Sequence, residues 1–166
     1  MKHKPQYRRL EAGFSLIELL IVVAIIGILA MVAVPRLISN IKIGRETATI
    51  ESLRTIHTNQ AHYSALKQKF GSLKDLNEAG LIDTNYSSGS PVSGYIYNST
   101  EATPDKYCVQ ATRQSEGTAY KDFNVIEDGT IRYVESNAPS AIPHGEGTPF
   151  GAAVGTGSGG EQPKTE

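Results

Sequence analysis

Few side chains in this chain of 166 residues are placed to do chemistry, and the most conspicuous is a carboxylate in apolar surroundings. Glu18 is the one charge between Phe14 and Val34. A charge deep in a bilayer costs roughly 2.5–3.5 kcal/mol on insertion scales, so its default reading is a functional one. The other candidates point to no reaction. His57 and His62 lie five positions apart, about 140° around a helix of 3.6 residues per turn. That spacing makes no two-histidine metal face, and both read as surface side chains. Cys108 alternates with Tyr107 and Val109; a buried free thiol is expected there, not a nucleophile. Asp122, Glu127 and Asp128 could approach a calcium ion, but they lack a dense run of alternating oxygen ligands, and Asp128-Gly129 reads better as a hairpin turn. The glycine-rich end has no Lys-Ser/Thr pair after a strand, so it is no phosphate loop. No catalytic residue, metal ligand or cofactor is expected, and the chain does not read as an enzyme.

The element that holds Glu18 runs through GFSLIELLIVVAIIGILAMVAVP, Gly13 to Pro35. From Phe14 to Val34 it covers about 31 Å as a helix, enough to cross a hydrocarbon core. Before it lies a polar segment with Lys2, Lys4, Arg8 and Arg9 against Glu11, which places the N-terminus in the cytoplasm. An ordinary secretory signal fits less well. Its apolar core is shorter, and cuts after Ala30 or Ala33 would have Ile28 or Met31, not a small residue, three places before the cut. The combination of basic leader, Gly13, Phe14, Glu18 as the fifth residue from Phe14, and an apolar span resembles the N-terminal signature of type IV pilins and type II secretion pseudopilins.

That resemblance implies a prepilin leader at 1–13, cleavage between Gly13 and Phe14 by a prepilin peptidase, and N-methylation of Phe14. The new amine on Phe14 would be one helical turn from Glu18, or near the Glu18 of a neighbouring subunit. Either pairing offsets the cost of burying the carboxylate, and in a staggered bundle it marks the register. The resemblance further implies single-pass storage in a bacterial inner membrane, then extraction into a homo-oligomeric helical filament by a platform protein and an assembly ATPase. The filament would be an extracellular pilus or a periplasmic pseudopilus. A missing cysteine pair departs from many pilins and a missing acidic loop departs from major pseudopilins, so the choice stays open, with a lean to the pilus. Gly27 and Pro35 punctuate the helix; in assembled pilins a comparable stretch loses helical form, whereas Pro35 alone would only bend it.

Sixteen basic and 17 acidic side chains give a net charge of −1. Without residues 1–13 the balance is 12 to 16, which offers no basic stripe to nucleic acid. After Pro35 the pattern turns amphipathic. Leu37, Ile38, Ile41, Ala48, Leu53, Ile56, Tyr63, Leu66 and Phe70 recur mostly at three- and four-residue steps, which predicts one helix continuing to Lys69 with a single apolar stripe. Ser72 and Asp75 predict a capped short helix, and 84–93 an exposed loop. Strands are expected at 94–98, 106–111, 123–126 and 130–134. The fold class is therefore α+β and pilin-like: a long N-terminal helix, membrane-spanning then amphipathic, on a small antiparallel sheet. The expected divisions are a leader at 1–13, a transmembrane and filament-core helix at 14–35, a globular head at 36–136, and a disordered Gly/Pro-rich tail at 137–166.

Overall fold

The computed structural model describes residues 14–151. The chain divides into two units, 1–40 and 41–166, and helix α1 (Leu16–Lys67) contributes to both. In the first unit α1 holds no buried residue. Runs of Ile and Val give up side-chain freedom in a helix, yet a segment in lipid has no water to satisfy its backbone, and an α-helix bonds every interior peptide group within itself. Glu18 stands in the first turn, where the unpaired N–H groups favour a negative charge.

In the second unit α1 buries Glu46, Thr49, Ile50, Leu53, Ile56, Gln60 and Tyr63. The period is helical and Leu53, Ile56 and Tyr63 are inside, as expected, but the stripe is more polar and covers less of the helix. Leu37, Ile38, Ile41 and Leu66 are exposed, and Thr49 and Ile50 stand inside where Ala48 was expected. The helix ends at Lys67, before Lys69, because Gln68 turns into the left-handed region (φ 59°) and returns its N–H to Ser64 O.

Helix α2 (Leu73–Glu78) begins with the predicted capping box. Ser72 Oγ accepts from Asp75 N–H at 3.2 Å, and Asp75 Oδ2 accepts from Ser72 N–H at 2.8 Å. Residues 84–93 are not wholly loop. Asp83 caps a single turn, α3 (Thr84–Ser87), by accepting from Asn85 N–H at 2.8 Å. The turn brings Tyr86 edge-on to Tyr97, ring centres 5.0 Å apart.

The sheet is a five-stranded antiparallel meander in the order β1 (Tyr95–Ala102), β2 (Tyr107–Arg113), β3 (Lys121–Ile126), β4 (Ile131–Glu135) and β5 (Thr148–Pro149). Four strands match expectation within a few residues. The Asp128-Gly129 turn between β3 and β4 is present: Gly129 adopts φ 72°, and Asp128 Oδ1 accepts from Thr130 N–H at 2.7 Å. On the inner face, Tyr97, Ala111, Phe123 and Tyr133 stand side by side in register. There they join Ile50, Leu53, Ile56 and Leu73 in the core.

The second face of the sheet is covered as well, contrary to the expectation that 137–166 is all disordered. Residues 137–151 cross it and add β5 at its edge. Gln110 and Asn124, opposite each other in the β2–β3 register, donate to Ile142 O at 2.7 Å and Pro143 O at 2.9 Å. Ile142 is buried beneath. Composition predicts disorder because the segment has little apolar area of its own. Amide donors fixed on the sheet supply the missing attachment. The expectation for 152–166 lies outside the described residues, as does that for the leader.

Candidate assembly surface

Every large apolar side chain from Phe14 to Val34 is exposed, from Val22 at 43% to Leu16 at 80%. Among the described residues, α1 is the one helix long and apolar enough to cross a membrane. Fully burying each such side chain stabilises by about 1.5–3 kcal/mol relative to exposure, so this surface calls for lipid or another apolar helix against it. Phe14 and Glu18 flank its start, both exposed. Gly13 lies outside the described residues. What the surface can do is associate: it carries one ionisable group and a wall of aliphatic side chains.

Gly27 and Pro35 both lie inside α1, which is helical through them. A Cβ on Gly27 would meet nothing within 4 Å, so no packing in this structure requires glycine there. Pro35 offers no N–H to the Met31 carbonyl, a weak point built into the helix. Ser39 Oγ donates to Pro35 O at 3.3 Å one turn later.

The remaining sequence candidates lie in the second unit, and all but His62 and Cys108 are engaged in the contacts that follow. His57 is half-buried, not on the surface: its Nδ1 bonds the Tyr107 hydroxyl and its ring stacks on Tyr107. His62 is exposed. Cys108 is a buried free thiol, and burial pushes it above the usual thiol range. Asp122 accepts from Arg113 N–H at 2.7 Å and Ser140 N–H at 2.9 Å. Asp128 pairs with Arg132, whose hydrogen bond holds its carboxyl below the usual range. Glu127 meets His144 Nε2 at 2.9 Å. Burial would raise Glu127, yet backbone N–H groups and His144 outweigh it and hold it low. Among the described residues no three His, Cys, Asp or Glu groups are set to hold a metal ion.

Sequence reading missed the buried polar groups that fasten the head. Glu46 on α1 accepts from Tyr120 N–H at 2.8 Å and Lys121 N–H at 3.2 Å. Beside it Arg45 donates to Thr118 O, and Lys42 donates to Glu116 O and sits 4.6 Å over the Tyr120 ring. The helix thus holds the loop between β2 and β3 by three side chains. One signal was available: Glu46 falls in helical phase with Leu53 and Ile56, where a solvated charge does not belong.

The family model described as the prokaryotic N-terminal methylation motif matches residues 8–34. The chain is similar to the type IV wide pilus major component PilA4 of Thermus thermophilus, 33% identical over 135 residues, covering 79% of this chain and 96% of that protein. It is also similar to the type IV major pilin protein PilA of Myxococcus xanthus. That likeness is 38% identity over 69 residues, covering 42% of this chain and 30% of that one.

Proposed function

Because this chain belongs to the type IV pilins and is a structural subunit of a pilus, we propose that residues 14–35 are its assembly element, freed by cleavage between Gly13 and Phe14. The observation that carries this reading is the unbroken exposure of large apolar side chains from Phe14 to Val34, interrupted by the single carboxylate of Glu18. Before assembly the bilayer covers that surface; in the filament, the same surface of other copies covers it. In both settings apolar area stays out of water, so transfer from lipid to filament is set by packing and by the one charge.

Glu18 decides the register. Cleavage leaves a cationic amine on Phe14, methylated in the mature subunit, and Glu18 pairs with it in its own chain or with that of a neighbour. A carboxylate left alone among aliphatic side chains would be strongly unfavourable, and where its partner is a neighbour's amine only the offset that brings the two charges together is stable. Gly27 and Pro35 mark the stretch where α1 can give up helical bonds as subunits pack. The basic residues before Gly13 hold the precursor's N-terminus in the cytoplasm, where a prepilin peptidase acts; a platform protein and an assembly ATPase then extract the subunit. Likeness to two pilins favours this pilus over a secretion pseudopilus.

The test is intact mass in sheared surface fractions of the native host. The expected mass is that of residues 14–166 plus one methyl group. Glu18→Val subunits should be cut normally yet be depleted from the sheared fraction about tenfold or more, as for loss of one buried charge pair. An uncut chain beginning at Met1 would overturn the processing, and normal incorporation of Glu18→Val would overturn the register.

A further inference from the structure

The outer face of the sheet is closed by a segment that shares almost nothing with the main core. We propose that residues 137–151 are a clasp that opens as a unit of its own, uncovering Cys108 while α1 and the sheet stay folded. The cluster that joins α1 to the sheet draws on residues from Ile50 to Ile131, with Tyr133 packed at its margin, and takes nothing from 137–151. Within that segment Ile142 is the one large apolar side chain buried; Phe150 meets Phe123 and Tyr133 edge-on but remains 43% exposed.

What holds the clasp is a row of contacts reaching out from the sheet. Arg113 donates to Ser136 O at 2.6 Å where the segment leaves β4, and Asp122 accepts from Ser140 N–H at 2.9 Å. Gln110 and Asn124 donate to the carbonyls of Ile142 and Pro143. Glu127 meets His144 at 2.9 Å, and Glu101 lies 3.9 Å from the same nitrogen. β5 adds the pairing of Thr148 and Pro149 with β4, and next to it Phe150 N–H donates to Ile131 O at 2.7 Å. Apart from the histidine contact these side chains bond backbone, and they remain anchored in the strands when the clasp leaves. Regions that bury little apolar area open at lower free energy than the domain as a whole.

Cys108 reports the opening. Strand alternation puts it on the face of Gln110, beside Ile126 in register, and it is fully buried. It is the sole cysteine of the chain, so a thiol reagent reads this position alone. The purified full chain in detergent micelles would be treated with a maleimide across a urea series. Without urea, labelling is expected at about a hundredfold or more above the rate set by global unfolding, with a shallow urea dependence that joins the global line only near the unfolding midpoint. Ile142→Ala should speed labelling about tenfold or more while the tyrosine signal of the core melts within a few degrees of wild type. Labelling of the wild-type chain that follows the global unfolding line at every urea concentration would overturn the proposal, whatever the variant does.

Discussion

Gln60→Leu is expected to loosen the head at the point where α1 hands over to α2. Gln60 is fully buried, and its amide works in both directions on one residue: Nε2 donates to Gly71 O, while Oε1 accepts from Gly71 N–H at 3.0 Å. Leucine keeps the volume and removes both bonds. Gly71 cannot back away to find water, because it is itself buried between Leu76 and Tyr63. A Cβ built on it would stand 2.7 Å from Leu76 Cδ1 and 2.9 Å from Tyr63 Cε1. Orphaning two buried backbone groups at about 1–3 kcal/mol each costs about 2–6 kcal/mol. Domains of this size are stable by about 5–15 kcal/mol in all. At about 4 °C per kcal/mol, the melting point should fall by about 8 °C or more. The assay is thermal unfolding of the full chain in detergent, followed by tyrosine fluorescence. The chain has no tryptophan, and every tyrosine but Tyr7 lies between Tyr63 and Tyr133. Gln60→Glu should fare no better, because a carboxylate can accept from Gly71 N–H but has no proton for its carbonyl. A Leu variant melting within about 2 °C of wild type would refute the claim that this reciprocal pair anchors the junction.

Gly129→Ala forces φ 72° on a residue with a Cβ and places that carbon 2.8 Å from His57 Nε2. The backbone part costs about 1–2 kcal/mol, and His57→Ala in the same chain should recover only the steric remainder, which a double-mutant melting cycle measures. Asp122→Ala leaves the Arg113 guanidinium buried without its carboxylate at 3.5 Å; breaking such a pair costs about 3–5 kcal/mol, enough to be seen as a large drop in urea midpoint. Acid should weaken the head through Asp75, Glu127 and Asp128, whose carboxyls are held below their usual values, Asp75 chiefly by the Ser72 hydroxyl. A depressed folded-state pKa gives stabilisation that is full above the unfolded value, near pH 4, and is lost as pH falls through the folded value. Melting points should therefore decline below about pH 4, and Asp75→Asn should flatten that decline.

Linear pattern carried the assembly element. The apolar run, Gly13, Phe14, Glu18 and Pro35 are read one after another along the chain, and the side chains from Phe14 to Val34 are exposed as such a run outside a core must be. Local signals carried much of the head for the same reason. The Ser72–Asp75 capping box and the Asp128-Gly129 turn close within four residues, so their chemistry is visible in sequence, and strand alternation located four strands. Gln68 and Asp83 show the limit: each ends or starts a helical turn by backbone or side-chain geometry that apolar periodicity does not register.

Tertiary structure decided the buried polar groups and the second face of the sheet. Glu46, Gln60, Arg113 and Asn124 are ordinary surface residues by composition. They are inside because partners 7 to 75 positions away in the chain bond them, and apolar periodicity encodes no such partner. Residues 137–151 have too little apolar area to fold alone, and what orders them is a row of amides on β2 and β3 that exists only once those strands pair. The sequence by itself determined the exposed apolar surface from Phe14 to Val34, since that surface is a property of one continuous helix. Only the folded head decided what closes its sheet, because that depends on groups brought together from separate strands.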